Sequence, residues 1–270
     1  MARSLLVRGM LAGLAAGLLA LVVAYFLGEP NVDSAISFEA THSHEHEMEI
    51  VSRSLQSTAG LATGVLIYGV AFGGIAGLAF CFALGRVGRF SPRATALLLS
   101  GCALLAVYVV PFLKYPANPP SVGNPDTIGE RGGLYLVMVV GSVLAALVAL
   151  WVGRRLSGRL GTWNAALAGL LCFAVLVGLL MAVLPSLGQL RLNVEQYGSL
   201  PTETPRPLRD PSGAIVLPGF DADLLYQFRL YSVCAQALLW GVLGVAFAPL
   251  AERVLGSADR RMPVVQDSTA

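Results

Sequence analysis

Charged side chains are scarce in this sequence. Asp, Glu, Lys and Arg together make up 13% of its 270 residues, against about 25% in an average soluble protein. Hydrophobic residues make up 56%, more than the core of a small water-soluble protein can bury. This composition excludes a soluble protein and indicates an integral membrane protein. No nucleic-acid partner is expected.

Histidine and cysteine are also sparse, and their positions exclude further classes. The four cysteines lie far apart inside apolar runs, which excludes a secreted disulfide scaffold. None of the three histidines lies in an apolar run, which excludes a haem held by two histidines within the membrane. Neither a zinc-protease motif nor a phosphate-binding loop with Lys-Ser/Thr occurs, so an enzyme is not expected.

Six apolar runs are present, each long enough to cross a bilayer as a helix, which takes about 20 residues. None contains an interior Asp, Glu, Lys or His. The sequence predicts an all-α integral membrane protein, with one transmembrane domain over 1–256 and a disordered cytoplasmic tail over 257–270. The first run could instead be a cleaved signal peptide, but it is longer than a usual signal core. The six predicted transmembrane helices cover 8–28, 60–84, 94–113, 132–152, 163–184 and 229–250.

Basic residues predict the orientation of these helices, because short cytoplasmic segments are rich in Arg and Lys. With the N-terminus in the cytoplasm, the inner segments hold 11 of 18 basic residues and three of 16 acidic residues. The inner face then carries a net charge of +8 and the outer face −6. Both termini are therefore predicted to be cytoplasmic. An acidic outer face would concentrate cations, although acidic residues that merely avoid the inner side would give the same count.

The longer connections are predicted to lie outside, where recognition is expected. They include an acidic, histidine-bearing loop over 29–59 and a proline-rich loop over 185–228. Another runs over 114–131. It overlaps the proline-rich stretch, residues 110–129, where Pro111 bends or ends the third helix and Lys114 is the only lysine of the chain. Its further prolines predict a stiff loop that could line an entry cavity. The alternative is a structural turn with a snorkelling lysine.

All three histidines lie close together in the first outer loop. In an extended chain, His42, His44 and His46 would point to one side. In a helix, His42 and His46 would share a face with Glu45 and Glu49. Either arrangement offers imidazole and carboxylate ligands for a divalent metal such as Co, Ni, Cu or Zn. The alternative is a solvated polar loop with incidental histidines.

The predicted helices lack interior carboxylates, and Glu29 stands at the outer end of the first one. A cation crossing this region would therefore contact backbone carbonyls, hydroxyls, side-chain amides or sulfur, which argues against a self-sufficient ion-coupled pump. Small residues do recur at four-residue spacing, which lets helix backbones approach closely, either within the bundle or between subunits. They are Gly9, Gly13 and Gly17 in the first helix, and Gly60 and Gly64, then Gly69, Gly73 and Gly77, in the second.

Several blocks along the chain resemble CbtA, a family of predicted cobalt transporter subunits. The most specific is the string KYPANPP, which begins at Lys114. Other matching positions extend over nearly the full chain. They are Leu6–Leu14, Gly28–Pro30, Val51–Arg53, Gln56, Tyr68, Gly69, Pro111–Pro120, Gly123, Pro125, Thr127, Ile128, Phe228, Arg229, Ser232, Gln236 and Trp240.

The resemblance implies a multi-pass protein of the bacterial inner membrane that imports cobalt for cobalamin synthesis. It also implies a small single-span partner subunit, CbtB. The charged and polar residues at or between matching positions near the predicted outer ends of the helices become candidates for functional polar contacts at the outer mouth. These outer-mouth residues are Glu29, Arg53, Gln56, Lys114, Asn118 and Asp126.

The favoured hypothesis is a permease subunit for Co²⁺ or Ni²⁺, with no permanently bound cofactor. Metal would bind to the histidine-bearing loop and pass inward beside the proline-rich stretch. The alternative is a non-transporting membrane scaffold or sensor that binds metal and acts with a partner. Besides the small subunit and membrane lipid, the chain could contact further copies of itself in a homo-oligomer.

Overall fold

The computed structural model describes residues 1–42 and 51–259, and most of these are helical. Five helical stretches in this part of the chain are long and apolar enough to cross a membrane. Large apolar side chains on them face outward: Trp163 is 75% exposed and Val183 is 81% exposed. Lipid can cover such surfaces, whereas water cannot without a large cost. The predicted all-α membrane fold is confirmed. The five stretches are Ala2–Ala40, Arg53–Ala83, Pro92–Lys114, Pro125–Tyr197 and Ala222–Gly256.

Three of the stretches contain a π-helical turn, a wider turn that is often found at functional sites. The first consists of α1 (Ala2–Val23), the turn Ala24–Gly28 and α2 (Glu29–His42). The second consists of α3 (Arg53–Leu55), the turn Gln56–Gly60 and α4 (Leu61–Ala83). The third consists of α5 (Pro92–Ala103), the turn Leu104–Val109 and α6 (Val110–Lys114).

The remaining elements follow in chain order. A 3₁₀ turn, Pro125–Thr127, leads into α7 (Ile128–Val183). A second 3₁₀ turn, Leu187–Gln189, precedes α8 (Arg191–Tyr197). Strands β1 (Leu208–Arg209) and β2 (Ile215–Leu217) form a short antiparallel pair, and the last helix is α9 (Ala222–Asp259).

The long element α7 is a helical hairpin, not one straight rod. Its only residue with non-helical backbone angles is Gly161, with φ 73° and ψ 166°. The two arms are in contact, because a Cβ added to Gly153 would lie 3.2 Å from the carbonyl oxygen of Ala165. Likewise, a Cβ at Gly169 would lie 2.9 Å from the carbonyl oxygen of Ala149. The fourth and fifth predicted helices therefore correspond to the two arms, and the connection between them is much shorter than predicted.

The chain divides into two compact units. The first comprises Met1–Val22, Thr58–Ala103 and Ala235–Ala270. Within it, the α1 and α4 backbones touch: a Cβ at Gly73 would collide with the carbonyl oxygen of Gly9, and one at Gly13 with that of Gly69. These glycines therefore pack helices within the chain, which decides between the two predicted roles. Other core contacts of this unit include an edge-to-face ring pair, Phe80 and Phe247, with centroids 5.3 Å apart.

The second unit comprises Val23–Ser57 and Leu104–Cys234. Its larger apolar cluster lies between α6 and the two arms of α7 and includes the fully buried Met138. A smaller cluster joins α2 to the proline-rich stretch and to the segment just before α9, through Ala35, Val122 and Phe220. The segments predicted as long outer loops thus contain regular structure, including the whole of α2.

Candidate functional site

All six outer-mouth residues lie in the second unit. Two of them form an ion pair, because the guanidinium of Arg53 contacts the carboxylate of Glu29. Arg53 also donates a 2.9 Å hydrogen bond from Nε to Asp33, four residues after Glu29 on the same face of α2. The Glu29 side chain is 14% exposed and that of Arg53 is 27% exposed. One arginine thus neutralises much of the negative charge at the start of α2.

Gln56 and Lys114 do not take part in this cluster. Gln56 donates a 2.8 Å hydrogen bond from its side-chain amide to the carbonyl oxygen of Val51, which ties the start of the second stretch to the residues before it. The ammonium of Lys114 lies 5.9 Å from the centroid of the Tyr115 ring, a cation–π distance. The lysine therefore ends α6 beside an aromatic ring.

Tyr115 fixes the point where the chain leaves α6. Its hydroxyl donates a 2.8 Å hydrogen bond to the carbonyl oxygen of Pro185, just beyond the end of α7. Burial raises the pKa of the phenol further above neutral pH, where it is already protonated and able to donate. The second residue of the KYPANPP string is thus held between two helix ends.

Asn118, in the middle of that string, contacts α9. Arg229 donates a 2.7 Å hydrogen bond from Nη2 to Asn118 Oδ1 and a 3.3 Å bond from Nε to the carbonyl oxygen of Ala117. Further on, Ser121 donates a 2.8 Å hydrogen bond to the carbonyl oxygen of Ala35 in α2. The proline-rich stretch is therefore anchored on both α9 and α2.

Asp126 borders a second polar cluster, most of which is buried. Asp126 itself is exposed, and its carboxylate accepts a 3.3 Å hydrogen bond from Gln196 of α8. Next to it, Asn124 donates from Nδ2 to Gln196 at 2.7 Å and to Asn193 at 3.0 Å. These amides connect the proline-rich stretch to α8.

Glu203 lies at the centre of this cluster, with only 2% of its side chain exposed. Its Oε1 accepts hydrogen bonds from Thr127 at 3.0 Å and Asn193 at 2.5 Å, and its Oε2 lies 3.4 Å from Arg131. A buried carboxylate needs such compensation, because an unpaired charge is costly to bury. Since its oxygens already have partners and a guanidinium lies beside it, this cluster serves to hold the segments together.

Several members of these clusters were not among the predicted site residues: Asp33, Asn124, Arg131, Asn193 and Glu203. Asn124 and Arg131 lie in or just after the block that resembles the family, and this proximity could have marked them as candidate site residues. Asn193 and Glu203 lie in the long third outer segment, where nothing in the sequence marks them as buried. Only the folded structure brings them to Thr127.

The predicted metal ligands fall at the edge of the described residues. His42 ends α2, and nothing is described of its side chain. His44, Glu45, His46 and Glu49 lie outside the described residues. Within residues 1–42 and 51–259, no three His, Cys, Asp or Glu side chains come together as a metal site. The histidine-bearing segment thus stays a prediction, and its first histidine is the last residue of the helix that carries Glu29 and Asp33.

The helical stretches, their outward apolar surface and the polar clusters near helix ends define a multi-pass membrane protein. The chain belongs to the CbtA family: the model of that family, described as "Probable cobalt transporter subunit (CbtA)", matches residues 2–252. The predicted resemblance is therefore confirmed over nearly the whole chain. A subunit acts with a partner, and this family's description places the chain in transport. No curated protein and no solved structure matches the chain.

Proposed function

We propose that this chain is the permease subunit of a cobalt importer in the bacterial inner membrane and supplies cobalamin synthesis. Family membership over residues 2–252 carries this proposal. In it, the two arms of α7 both cross the bilayer, which gives six spans with both termini in the cytoplasm. The non-helical Gly161 supports that count, because it separates two arms that are each long enough to span.

Metal capture would take place at the segment with His42, His44 and His46, assisted by Glu45 and Glu49. The carboxylates of Glu29 and Asp33 support this choice indirectly. Because Arg53 already binds both carboxylates and offsets part of their charge, they are weaker ligands for a metal than the imidazoles of the histidines.

The proline-rich stretch would then lie on the route of the metal. Ser121 of that stretch donates hydrogen bonds to the carbonyl oxygen of Ala35 and, at 3.4 Å, to Glu39, three residues before His42. The histidine-bearing segment therefore starts beside this stretch. Gln56, Lys114, Asn118 and Asp126 would line or position the outer mouth, the role predicted for them. The cargo is Co²⁺, with Ni²⁺ as a second cargo that the same ligands accept.

The partner would be a small single-span subunit of the CbtB type. The central test uses vesicles that contain the chain with and without that subunit, loaded with radioactive Co²⁺ from outside. We expect accumulation inside vesicles that contain both subunits. No accumulation at any cobalt concentration would contradict the permease function.

A triple variant, His42→Ala with His44→Ala and His46→Ala, tests the capture step. We expect a higher external cobalt concentration for half-maximal uptake and an unchanged maximal rate, because capture precedes translocation. Glu195→Gln is the matched control, since Glu195 is an exposed acidic residue in another segment predicted to lie outside. An unchanged uptake curve in the triple variant would remove the histidine-bearing segment from the mechanism.

A metal-binding scaffold or sensor is the second candidate. The absence of any interior Asp, Glu, Lys or His in the six apolar runs favours it, because a doubly charged ion finds no opposite charge there. Cobalt that binds to both subunits without accumulating inside the vesicles would support this candidate.

A further inference from the structure

The third long stretch contains a backbone irregularity inside the membrane-spanning region. Its π-helical turn, Leu104–Val109, ends two residues before Pro111. Proline has no N–H and cannot close the α-helical hydrogen bond to the carbonyl four residues earlier. The hydroxyl of Ser142, a fully buried residue of α7, donates to the carbonyl oxygen of Ala106 within this turn. A side chain from a neighbouring helix thus satisfies one backbone acceptor of the irregular turn.

Tyr108 lies in the same turn, and its hydroxyl has no such partner. The residue is 9% exposed, and no described residue forms a hydrogen bond with its oxygen. The ring is packed, since its centroid lies 5.5 Å from that of Phe112. A buried hydroxyl without a partner destabilises a protein, and in a native structure such a group calls for an explanation, such as a bound water, an ion or a functional role. A phenylalanine would fill the same space without this cost.

The part of α7 that packs against the third stretch has no charged side chain but carries side chains with oxygen and sulfur atoms. Tyr135 of α7 packs against the apolar cluster that includes Val110, two residues after Tyr108. One turn further along α7 is Met138, which is fully buried and packs beside Val110. We call Tyr108, which belongs to the π-helical turn, and Ser142, which contacts the same turn from α7, the phenol site. It is a polar place between α7 and the third stretch, in a region where the sequence has no charged side chain.

We propose that the phenol site contacts the hydration shell of the divalent cation as it crosses the membrane. A water molecule bound to a divalent cation is a strong hydrogen-bond donor, and the Tyr108 oxygen would accept from it. This inference rests on the proposed function and names the first contact for the cargo within the uncharged part of the chain. Tyr108 is therefore a substrate-contacting residue whose oxygen matters and whose ring serves only for packing.

The test compares Tyr108→Phe with the wild type in the two-subunit vesicles described above, at varied external cobalt. We expect the maximal uptake rate to fall about tenfold, the size of one hydrogen bond to a charged species. The concentration for half-maximal uptake should stay unchanged, because capture occurs before this contact. The Tm of the purified variant should equal or exceed that of the wild type, since the substitution removes an unpaired buried hydroxyl.

Tyr226→Phe is the matched control, because Tyr226 is 65% exposed at the start of α9, and its uptake should match the wild type. Full uptake by Tyr108→Phe would overturn the inference while leaving the proposed function intact. A reduced rate together with a lowered Tm would also overturn it, since the hydroxyl would then have a structural role. If the wild type accumulates no cobalt, the proposed function fails, and this inference fails with it.

Discussion

Arg229 donates a 2.7 Å hydrogen bond to Asn118, which lies 111 residues earlier in the chain. Together with the bond to the Ala117 carbonyl, it holds the proline-rich stretch against α9. Prolines restrict the backbone of that stretch but leave its position open. Arg229 fixes the position relative to α9, because its planar guanidinium serves two acceptors at once.

Replacing Arg229 with glutamine should release the proline-rich stretch. We expect the backbone amides of residues 115–124 to exchange hydrogen faster. Their free energy of local opening should fall by about 1.5–3 kcal/mol, the contribution of hydrogen bonds to a charged group. Hydrogen–deuterium exchange of the purified protein measures this. Arg206→Gln, at an exposed position in the third outer segment, should leave the same amides unchanged. Equal protection in both variants would show that the stretch is held by other contacts.

Replacing Glu203 with glutamine should destabilise the second unit. The variant leaves the Arg131 guanidinium without its anion and places an amide N–H₂ group among donors. Breaking a buried charge pair costs about 3 kcal/mol or more. Thermal unfolding in detergent measures the loss. Glu195→Gln breaks an exposed pair with Arg191 and should cost less than about 1 kcal/mol. Similar effects of the two substitutions would contradict the buried role of Glu203.

Replacing Gly73 with alanine should disturb the contact between α1 and α4. The new Cβ would collide with the carbonyl oxygen of Gly9, a backbone atom that cannot rotate away. We expect a loss of about 1–3 kcal/mol, typical of overpacking. Gly64→Ala in the same helix meets nothing within 4 Å, so it should be neutral or slightly stabilising. The melting temperatures of the two variants measure this difference. Equal melting temperatures would contradict a direct backbone contact at Gly73.

Replacing Gly161 with alanine should strain the turn of the α7 hairpin. Its φ of 73° and ψ of 166° belong to a region that is accessible almost exclusively to glycine. We expect a cost of about 1–3 kcal/mol. Gly158→Ala, three residues earlier and inside the helix, should not show this loss, since a Cβ there meets nothing within 4 Å. Equal stability of both variants would mean that the chain reverses elsewhere.

The sequence was sufficient to predict the membrane class, because uncharged apolar runs of this length are typical of membrane-spanning helices. It also predicted the close packing of glycine faces, which follows from their four-residue spacing. The turn at Gly161 was not foreseen as a single residue. The sequence predicts a basic loop between two helices at Arg154, Arg155 and Arg159. In the structure, these three residues have helical backbone.

The candidate site was predictable only in part. Glu29 and Arg53 were each expected at the outer mouth, but their pairing depends on how α2 and α3 meet. Glu203 gave no signal at all, because a glutamate among prolines reads as a solvated loop residue. Its burial depends on contacts with Thr127, far away in sequence, and with Asn193 of α8. Patterns within one segment cannot reveal partners that lie in another.

The direct backbone contact between α1 and α4 also limits how the protein can move. Where Gly9 meets Gly73, no side chain lies between the helices, so no change of rotamer can absorb a small shift. Sliding by one or two residues would press a side chain such as Met10 against the opposing backbone. The two helices therefore behave as one rigid pair within the first unit. Any cycle of opening and closing has to bend or displace other parts of the chain.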